Sequence, residues 1–489
     1  MSEDGLDGKN TRLARIYDDV REIYLSDSRP WVVGYSGGKD STTALQIIWT
    51  AIESLPPEKR SKQIYVISSD TLVETPVVSR YIDVSLERIA KAAIEKNMPI
   101  VTHKVVPEVG RSFWVNMIGR GYPAPSRRFR WCTERLKIEP ANDFIKSRVA
   151  EFGEVVMVLG VRSQESATRA QVMSLHKIEG SRLSKHSSLL NAFVYAPISD
   201  FSTDEVWTYL LQNQSPWGND NRDLVAMYRN AASGECPLVV DTTTPSCGNS
   251  RFGCWVCTVV ERDKAMEAMI DSGEEWLTPL LEYRDMLSET QIPERKHEFR
   301  DFRRRTGQVS FIGKTDRVMP GPYTMDFCRK LLAKLLHIQN EVRRDAPIGE
   351  APVLIQEAEL HEIRRLWRTE RGDWPDTVPR LVREILGREL DWVAEDAIAF
   401  TADDGELLDA VCADNDVPTE LVMKLLDIER ASHGLKRRHA VHTRIEEAFK
   451  LEWRDLDVLV EARRRDIGVG PDGEALILDD DLELPFDGE

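Results

Sequence analysis

The sequence predicts an α/β fold, a doubly wound parallel sheet followed by a cysteine-rich segment and a helical C-terminal region. Three observations predict it. Over residues 11–215, apolar runs of strand length alternate with segments of helical periodicity. A glycine-rich loop, Ser36–Thr42, lies between the first strand-like run and the helix after it. Beyond residue 262 the composition shifts to Arg, Glu and Trp at helical spacing.

The elements follow in order. Residues 11–24 read as a helix, and Trp31–Tyr35 as a buried strand. The segment after the glycine loop places Leu45, Ile48, Ala51 and Ile52 on one helical face. Gln63–Ser69 is a second strand, ending at Asp70, and a helical segment runs on to Ala93. Further strands are expected at 99–107, 154–161 and 193–198. A helix at Thr203–Leu211 opens on a capping box, Ser202 with Glu205 three residues on. In a sheet of this type, ligands sit at the carboxyl ends of the strands. The glycine loop, Asp70 and Gly160-Val161-Arg162 all fall there.

The expected organisation is therefore 1–215 for the sheet domain and 216–262 for the cysteine-rich segment. A helical region follows at 263–470, and an acidic tail, without a fold of its own, at 471–489. The Met319-Pro-Gly-Pro-Tyr-Thr stretch is a loop between helical parts.

Composition narrows the function. With 489 residues the chain is long enough for about three domains at roughly 150 residues each. Hydrophobic residues at 42% and charged residues at 30% are those of a globular protein. No stretch approaches the roughly 18 apolar residues of a membrane span. The N-terminal segment lacks the basic and apolar regions of a secretory signal, so no membrane and a cytoplasmic location are expected. The net charge is −17. Such a surface repels nucleic acid at long range. Residues 471–489 hold eight acids and no base, yet removing them leaves −9. A nucleic acid must therefore meet a local basic patch or be presented by a partner.

The glycine loop is Ser36-Gly37-Gly38-Lys39-Asp40-Ser41-Thr42. Glycines let backbone amides approach phosphate oxygens, and the helix N-terminus adds positive potential. Lys39 supplies charge, and Ser36, Ser41 and Thr42 supply hydroxyls. Asp40 either holds Mg2+ through water or fixes the loop. The spacing departs from GxxxxGK[ST]. It resembles the PP-loop of the N-type ATP pyrophosphatases, whose adenine nucleotide alpha hydrolase-like fold the resemblance implies here. Those enzymes split ATP between its α and β phosphates and attach AMP to a substrate oxygen.

Asp70-Thr71-Leu72-Val73-Glu74-Thr75-Pro76 resembles, with altered spacing, a nucleotide-side segment of sulfonucleotide reductases and of the ATP sulfurylase small subunit. A polar turn with Thr75 as N-cap is its purely structural alternative. Gly160-Val161-Arg162-Ser163-Gln164-Glu165-Ser166, with Arg169, resembles a segment of the same superfamily whose arginine contacts phosphate. An Arg162–Glu165 pair is the alternative there.

Residues 127–137 hold five bases, one acid and the aromatic residues Phe129 and Trp131. Phosphate capture with ring stacking is one reading. Within this stretch Cys132 sits among cations that lower a thiol pKa, making it a candidate persulfide carrier. A buried, inert cysteine is the alternative. Arg295–Arg305 holds six bases and two acids, read either as DNA phosphate contacts or as a solvated helix face.

Four of the seven cysteines, Cys236, Cys247, Cys254 and Cys257, are spaced x10, x6 and x2. Four thiolates ending in CxxC suit an iron–sulfur cluster or tetrahedral zinc. The residues alone leave the metal open. The whole pattern resembles the bacterial DNA phosphorothioation sulfurtransferases: PP-loop, Arg130-Trp131-Cys132-Thr133, the 160–166 segment, this cysteine spacing and a long C-terminal extension.

That resemblance implies ATP with Mg2+, a [4Fe–4S] cluster on the four cysteines, and zinc as the lesser alternative. It implies replacement of a non-bridging oxygen of the DNA backbone by sulfur. A cysteine desulfurase would supply the sulfur, and partner proteins of the same system would present the DNA. Lys39, Asp40, Cys132 and Arg162 would be the catalytic residues; Ser36–Thr42, Asp70 and Arg162 would bind the nucleotide. The alternatives are a sulfonucleotide reductase, a tRNA thiolase and a non-enzymatic ATP- and cluster-bearing scaffold or redox sensor. The reductases carry a C-terminal ECGxH, whereas Glu235-Cys236 is followed by Pro237-Leu238.

Overall fold

The computed structural model describes residues 3–165, 175, 176, 178, 180–231, 253–348, 351–393, 400–415, 417–432 and 439–467. Cys236, Cys247, Arg169 and the acidic tail lie outside them. The chain divides into two compact units. The first is Met1–Glu108 with Cys132–Leu281, and the second is Val109–Trp131 with Glu282–Glu489.

The first unit is the doubly wound domain. Its sheet comprises β1 (Trp31–Gly34), β2 (Ile64–Ser69), β3 (Ile100–Val105), β4 (Val155–Val158), β5 (Ser184–Lys185) and β6 (Ala192–Tyr195). The strand order is β3-β2-β1-β4-β6-β5. All pairings are parallel except β5 with β6. β1 and β4 are adjacent, with Trp31 opposite Val156 and Val33 opposite Val158. The order reverses between them, which opens a crevice beyond their carboxyl ends.

Alternation along β1 sends Trp31 and Val33 to one face and Val32 to the other. Trp31 and Val33 pack with helices α1 (Glu3–Leu25), α2 (Lys39–Glu53) and α3 (Pro76–Glu95). Val32 joins Tyr65, Ile67 and Met157 beneath α4 (Glu139–Phe152), where Ile145 is buried. Both faces are therefore covered, which is why β1, β2 and β4 read as unbroken apolar runs. Helix α5 (Thr203–Gln212) starts on the expected capping box: Ser202 Oγ accepts from Glu205 N–H at 3.2 Å, and Ser202 N–H donates to the Glu205 carboxylate at 2.8 Å. Helices α6 (Asn221–Ala231) and α7 (Lys264–Asp271) complete the unit.

The second unit is helical. Its helices include α8 (Thr278–Glu289), within which the two units divide, α9 (Met325–Asp345), α10 (Glu357–Glu370), α11 (Ala402–Asp414), α12 (Thr419–Ala431), α13 (His439–Phe449) and α14 (Leu456–Ile467). Residues 109–131, which follow β3 in sequence, belong to it. The reason is apolar: Phe113, Trp114, Val115, Met117 and Ile118 are all buried. The Trp367 indole donates to Ile118 O at 2.9 Å, and a Cβ at Gly119 would lie 2.9 Å from Leu366. No helix among the described residues is long and apolar enough to cross a membrane.

Candidate functional site

The glycine loop leaves the end of β1 and enters α2. Tyr35 N–H donates to Ile67 O at 2.8 Å, holding the loop's entrance to β2. Gly37 has φ +70°, a backbone conformation that suits glycine. The two serines brace the turn, with Ser36 Oγ 3.1 Å from Ser41 Oγ. Ser36 Oγ accepts from Gly38 N–H at 3.4 Å, and Ser41 Oγ donates to Gly38 O at 3.0 Å. Gly38 is the N-cap of α2 and supplies no side-chain cap. Thr42 N–H donates to Gly38 O at 2.9 Å and begins the helix.

Arg162 comes from the segment after β4 and reaches across the crevice. It is 3% exposed. Its Nε donates to Asp40 Oδ1 at 2.7 Å, while Lys39 Nζ lies 2.9 Å from Asp40 Oδ2. Arg162 also donates to Thr203 Oγ1 at 3.2 Å and to Phe201 O at 3.4 Å. Lys39, Asp40 and Arg162 are thus one charged cluster, and Arg162 is bound to Asp40, the partner that sequence did not name. Asp40 is thus clamped between two cations, which ties the start of α2 to the segment after β4.

Backbone contact between the two loops is equally close. A Cβ at Gly160 would lie 2.6 Å from Asp40 O and 2.8 Å from Ser41 Cα. Only glycine allows the β4 exit to lie against the start of α2.

Sequence reasoning missed Tyr228 on α6. Its hydroxyl accepts from Lys39 N–H at 3.3 Å, and its ring lies 5.4 Å from Lys39 Nζ. A lone tyrosine in an amphipathic helix carries no local sign of this role. Tyr228→Phe is expected to weaken ATP binding by less than tenfold, in line with the roughly 1 kcal/mol of one hydrogen bond. Isothermal titration with a non-hydrolysable ATP analogue measures it.

A second group forms at the end of β2. Asp70 Oδ1 accepts from Leu72 N–H at 2.8 Å, and its other oxygen lies 3.0 Å from Lys104 Nζ. Asp70 therefore shapes this strand end. Glu74 pairs with Cys254 in an antiparallel bridge, and Trp255 N–H donates to Val73 O at 3.0 Å. Thr75 stands at the N-cap of α3 as expected, but its hydroxyl donates to Gly253 O at 2.8 Å instead of capping the helix. Thr71 Oγ1 lies 3.2 Å from Cys254 Sγ, and Lys137 Nζ lies 3.3 Å from Glu74 Oε1.

Cys254 and Cys257 lie on a turn closed by Cys257 N–H donating to Cys254 O at 3.0 Å. Cys132 is a free thiol close enough to feel the charge of both. Its expected acidity is corrected here. Burial pushes the Cys132 thiol up, and the Cys257 charge adds to this; Thr133 and Lys137 only partly oppose them. The arginines at 127, 128 and 130 are exposed to water, where charge is screened. Burial likewise pushes the Cys254 thiol well up, with Glu74 adding and Lys137 opposing. Lys137 is itself held more basic, chiefly by Cys254.

The CxxC turn fits half of a four-thiolate set. Among the described residues no group of three or more His, Cys, Asp or Glu side chains is placed to hold a metal. The two remaining cysteines of the expected set, Cys236 and Cys247, lie outside those residues.

Two expectations for the basic stretches change. Trp131 is buried, stacked on Phe113 at 5.4 Å between centroids, so it does not offer a ring to a ligand. Within Arg295–Arg305 only Lys296–Phe299 is α-helical. Arg300 donates to Gly321 O and Pro320 O, Arg303 to Glu452 O, and Arg304 to Met319 Sδ. These arginines hold loops together instead of forming a solvated helix face.

The family model of the phosphoadenosine phosphosulfate reductase domain matches residues 30–259, just under half of the chain. Over these residues the chain is similar to that domain. An uncharacterized protein of Methanocaldococcus jannaschii is 25% identical over 267 residues, 54% of this chain and 44% of that protein. A second from the same organism is 26% identical over 179 residues, 37% of this chain and 35% of that one. The chain spans less than half the length of these two relatives. Among solved structures, PAPS reductase from Candida auris in a phosphate complex is similar at 16% identity with a TM-score of 0.29, covering 47% of this chain and 93% of that one. FMN adenylyltransferase from Candida glabrata with FAD and inorganic pyrophosphate is similar at 11% identity with a TM-score of 0.25, covering 42% and 59%.

Proposed function

We propose that this chain is an ATP-consuming sulfurtransferase that acts on the DNA backbone, replacing a non-bridging phosphate oxygen with sulfur. The observation that carries the reading is the Lys39–Asp40–Arg162 cluster on a glycine loop at the sheet's reversal point, in the same unit as the thiols of Cys132, Cys254 and Cys257. The match of residues 30–259 to a sulfonucleotide-handling family supports nucleotide-linked sulfur chemistry.

The α2 N-terminus and Lys39 bind the triphosphate; Mg2+ would come with it and offset its charge, and Asp40 would hold the ion through water. Arg162 sets Asp40, and Asp40 sets the Lys39 ammonium. A DNA phosphate oxygen attacks the α-phosphorus and pyrophosphate leaves, giving an adenylated phosphodiester. A phosphodiester is a poor nucleophile, so fixed cations must stabilise the charge that develops. The terminal sulfur of a Cys132 persulfide, loaded by a cysteine desulfurase, then attacks the activated phosphorus and AMP leaves. A thiol reductant splits the resulting S–S bond and leaves sulfur on phosphorus.

Cys254 and Cys257, with Cys236 and Cys247, would hold the iron–sulfur cluster. Bound there, it supplies redox-active iron and sulfide beside the sulfur-handling thiols. Protein purified without oxygen is expected to contain iron and acid-labile sulfide, and Cys254→Ser is expected to lose most of both. Zinc in their place would establish the other metal.

The second reading is a sulfonucleotide reductase, favoured by the family match itself. Incubation with ATP, Mg2+ and duplex DNA separates the two. The sulfurtransferase reading expects DNA-dependent release of AMP and pyrophosphate, lost in Lys39→Ala. Sulfite formed from PAPS with a thiol reductant, and no DNA-dependent AMP, would establish the reductase.

A further inference from the structure

We infer that an arginine-bearing turn at residues 126–130, together with Arg305, is a docking surface for the phosphate backbone of duplex DNA. The inference rests on the DNA reading above and gives that substrate a place on this chain.

The insert of residues 109–131 carries five arginines and no acid, in a chain of net charge −17. Its first half is anchored in the apolar core of the helical unit through Phe113, Trp114, Met117 and Ile118. Its second half is a closed turn: Ser126 N–H donates to Phe129 O at 3.1 Å, and Phe129 N–H donates to Ser126 Oγ at 3.0 Å. Arg127 and Arg128 occupy the tip, Arg130 follows, and all three are exposed. The turn is fixed from behind. The Trp131 indole donates to Pro123 O at 3.0 Å, and its ring meets Tyr122 edge-on at 5.5 Å.

Tyr122 links the turn to a fourth cation. Arg305 Nη1 donates to the Tyr122 hydroxyl at 2.9 Å, and its guanidinium lies 5.4 Å from the ring centroid. This is the one arginine of the 303–305 run that is exposed. Arg120 feels the charge of Arg305, with Glu362 and Glu370 offsetting it, so the surface rests on Arg127, Arg128, Arg130 and Arg305.

The chemistry favours phosphate. Guanidinium forks match phosphate oxygens two at a time, and the Tyr122 ring behind Arg305 limits the entropy that side chain loses on binding. A strongly acidic protein that must act on DNA needs such a local surface to overcome long-range repulsion.

The test uses the full chain and a fluorescent 20-base-pair duplex, with anisotropy read from 50 to 200 mM salt. The variant is Arg127→Gln with Arg128→Gln and Arg130→Gln, checked for folding by circular dichroism and thermal melting; the matching lysine variant is the control. Wild type is expected to bind in a salt-dependent way. The glutamine variant should bind at least tenfold more weakly at 50 mM salt, and the slope of log K against log salt should fall by about 2–3, at roughly 0.9 per phosphate contact. The lysine variant should keep most of the slope. Equal affinity and slope in the folded glutamine variant would overturn the surface, as would a wild type without salt-sensitive binding. Neither result decides the sulfurtransferase reading, which stands or falls on sulfur in DNA.

Discussion

Gly160→Ala is expected to destabilise the sheet unit by about 3 kcal/mol, at the upper end for an overpacking change. The added Cβ would meet Asp40 O at 2.6 Å, Asp40 C at 2.7 Å and Ser41 Cα at 2.8 Å. All three are backbone atoms at the start of α2, a helix whose side chains from Ser41 to Trp49 are buried. The helix cannot retreat without disturbing the contacts of Leu45, Ile48 and Trp49 with β1 and its neighbours. Urea unfolding followed by tryptophan fluorescence should show a lower midpoint. The folded variant should have a displaced glycine loop and little ATP turnover. Gly153→Ala is the contrast: nothing lies within 4 Å of a Cβ there, although φ is +82°. Its cost comes from backbone strain alone, about 1–3 kcal/mol for φ +82° with ψ −48°. A wild-type midpoint for Gly160→Ala would refute the close approach of the two loops.

Arg162→Met should have the largest effect on chemistry. Arg162 is buried and donates to Asp40 at 2.7 Å. Its loss leaves Asp40 with Lys39 as the remaining partner in this cluster, so the lysine is drawn into neutralising the carboxylate instead of the triphosphate. Removing one member of a buried ion pair costs about 3 kcal/mol. Loss of a fixed cation beside a transferring phosphoryl group costs about 10²-fold in rate. Both effects are expected, read separately by urea unfolding and by pyrophosphate release. Arg162→Lys should recover part of the stability, since it restores a charge, but less of the rate, since it lacks the planar fork that also reaches Thr203 and Phe201. Stability lost with no change in rate would make Arg162 structural only.

The sheet domain was legible where burial was two-sided. β1, β2 and β4 are covered on both faces, so their runs are continuous and apolar, and their positions agree with expectation to within a few residues. β5 was not legible: two residues, Ser184 and Lys185, paired along an edge, leave no pattern. The placement of residues 109–131 was not legible either. Phe113-Trp114-Val115 announces burial, but nothing local says which core receives it. The glycine loop and Arg162 stand out in the sequence because phosphate chemistry restricts which residues fit such positions. Their link through Asp40 joins residues 122 positions apart, which no spacing reveals. Cys132 shows the reverse case. Its neighbours in sequence are cations, but its neighbours in space are other thiols and a buried environment, and burial decides its acidity.

The most direct test of the central claim is mass spectrometry of nuclease-digested DNA from cells carrying this chain with its sulfur-supplying and DNA-presenting partners. Phosphorothioate-linked dinucleotides are expected with wild type and absent with Lys39→Ala and with Cys254→Ser. DNA free of sulfur with wild type, when the partners are expressed, would contradict the account, and so would sulfur that persists in both variants.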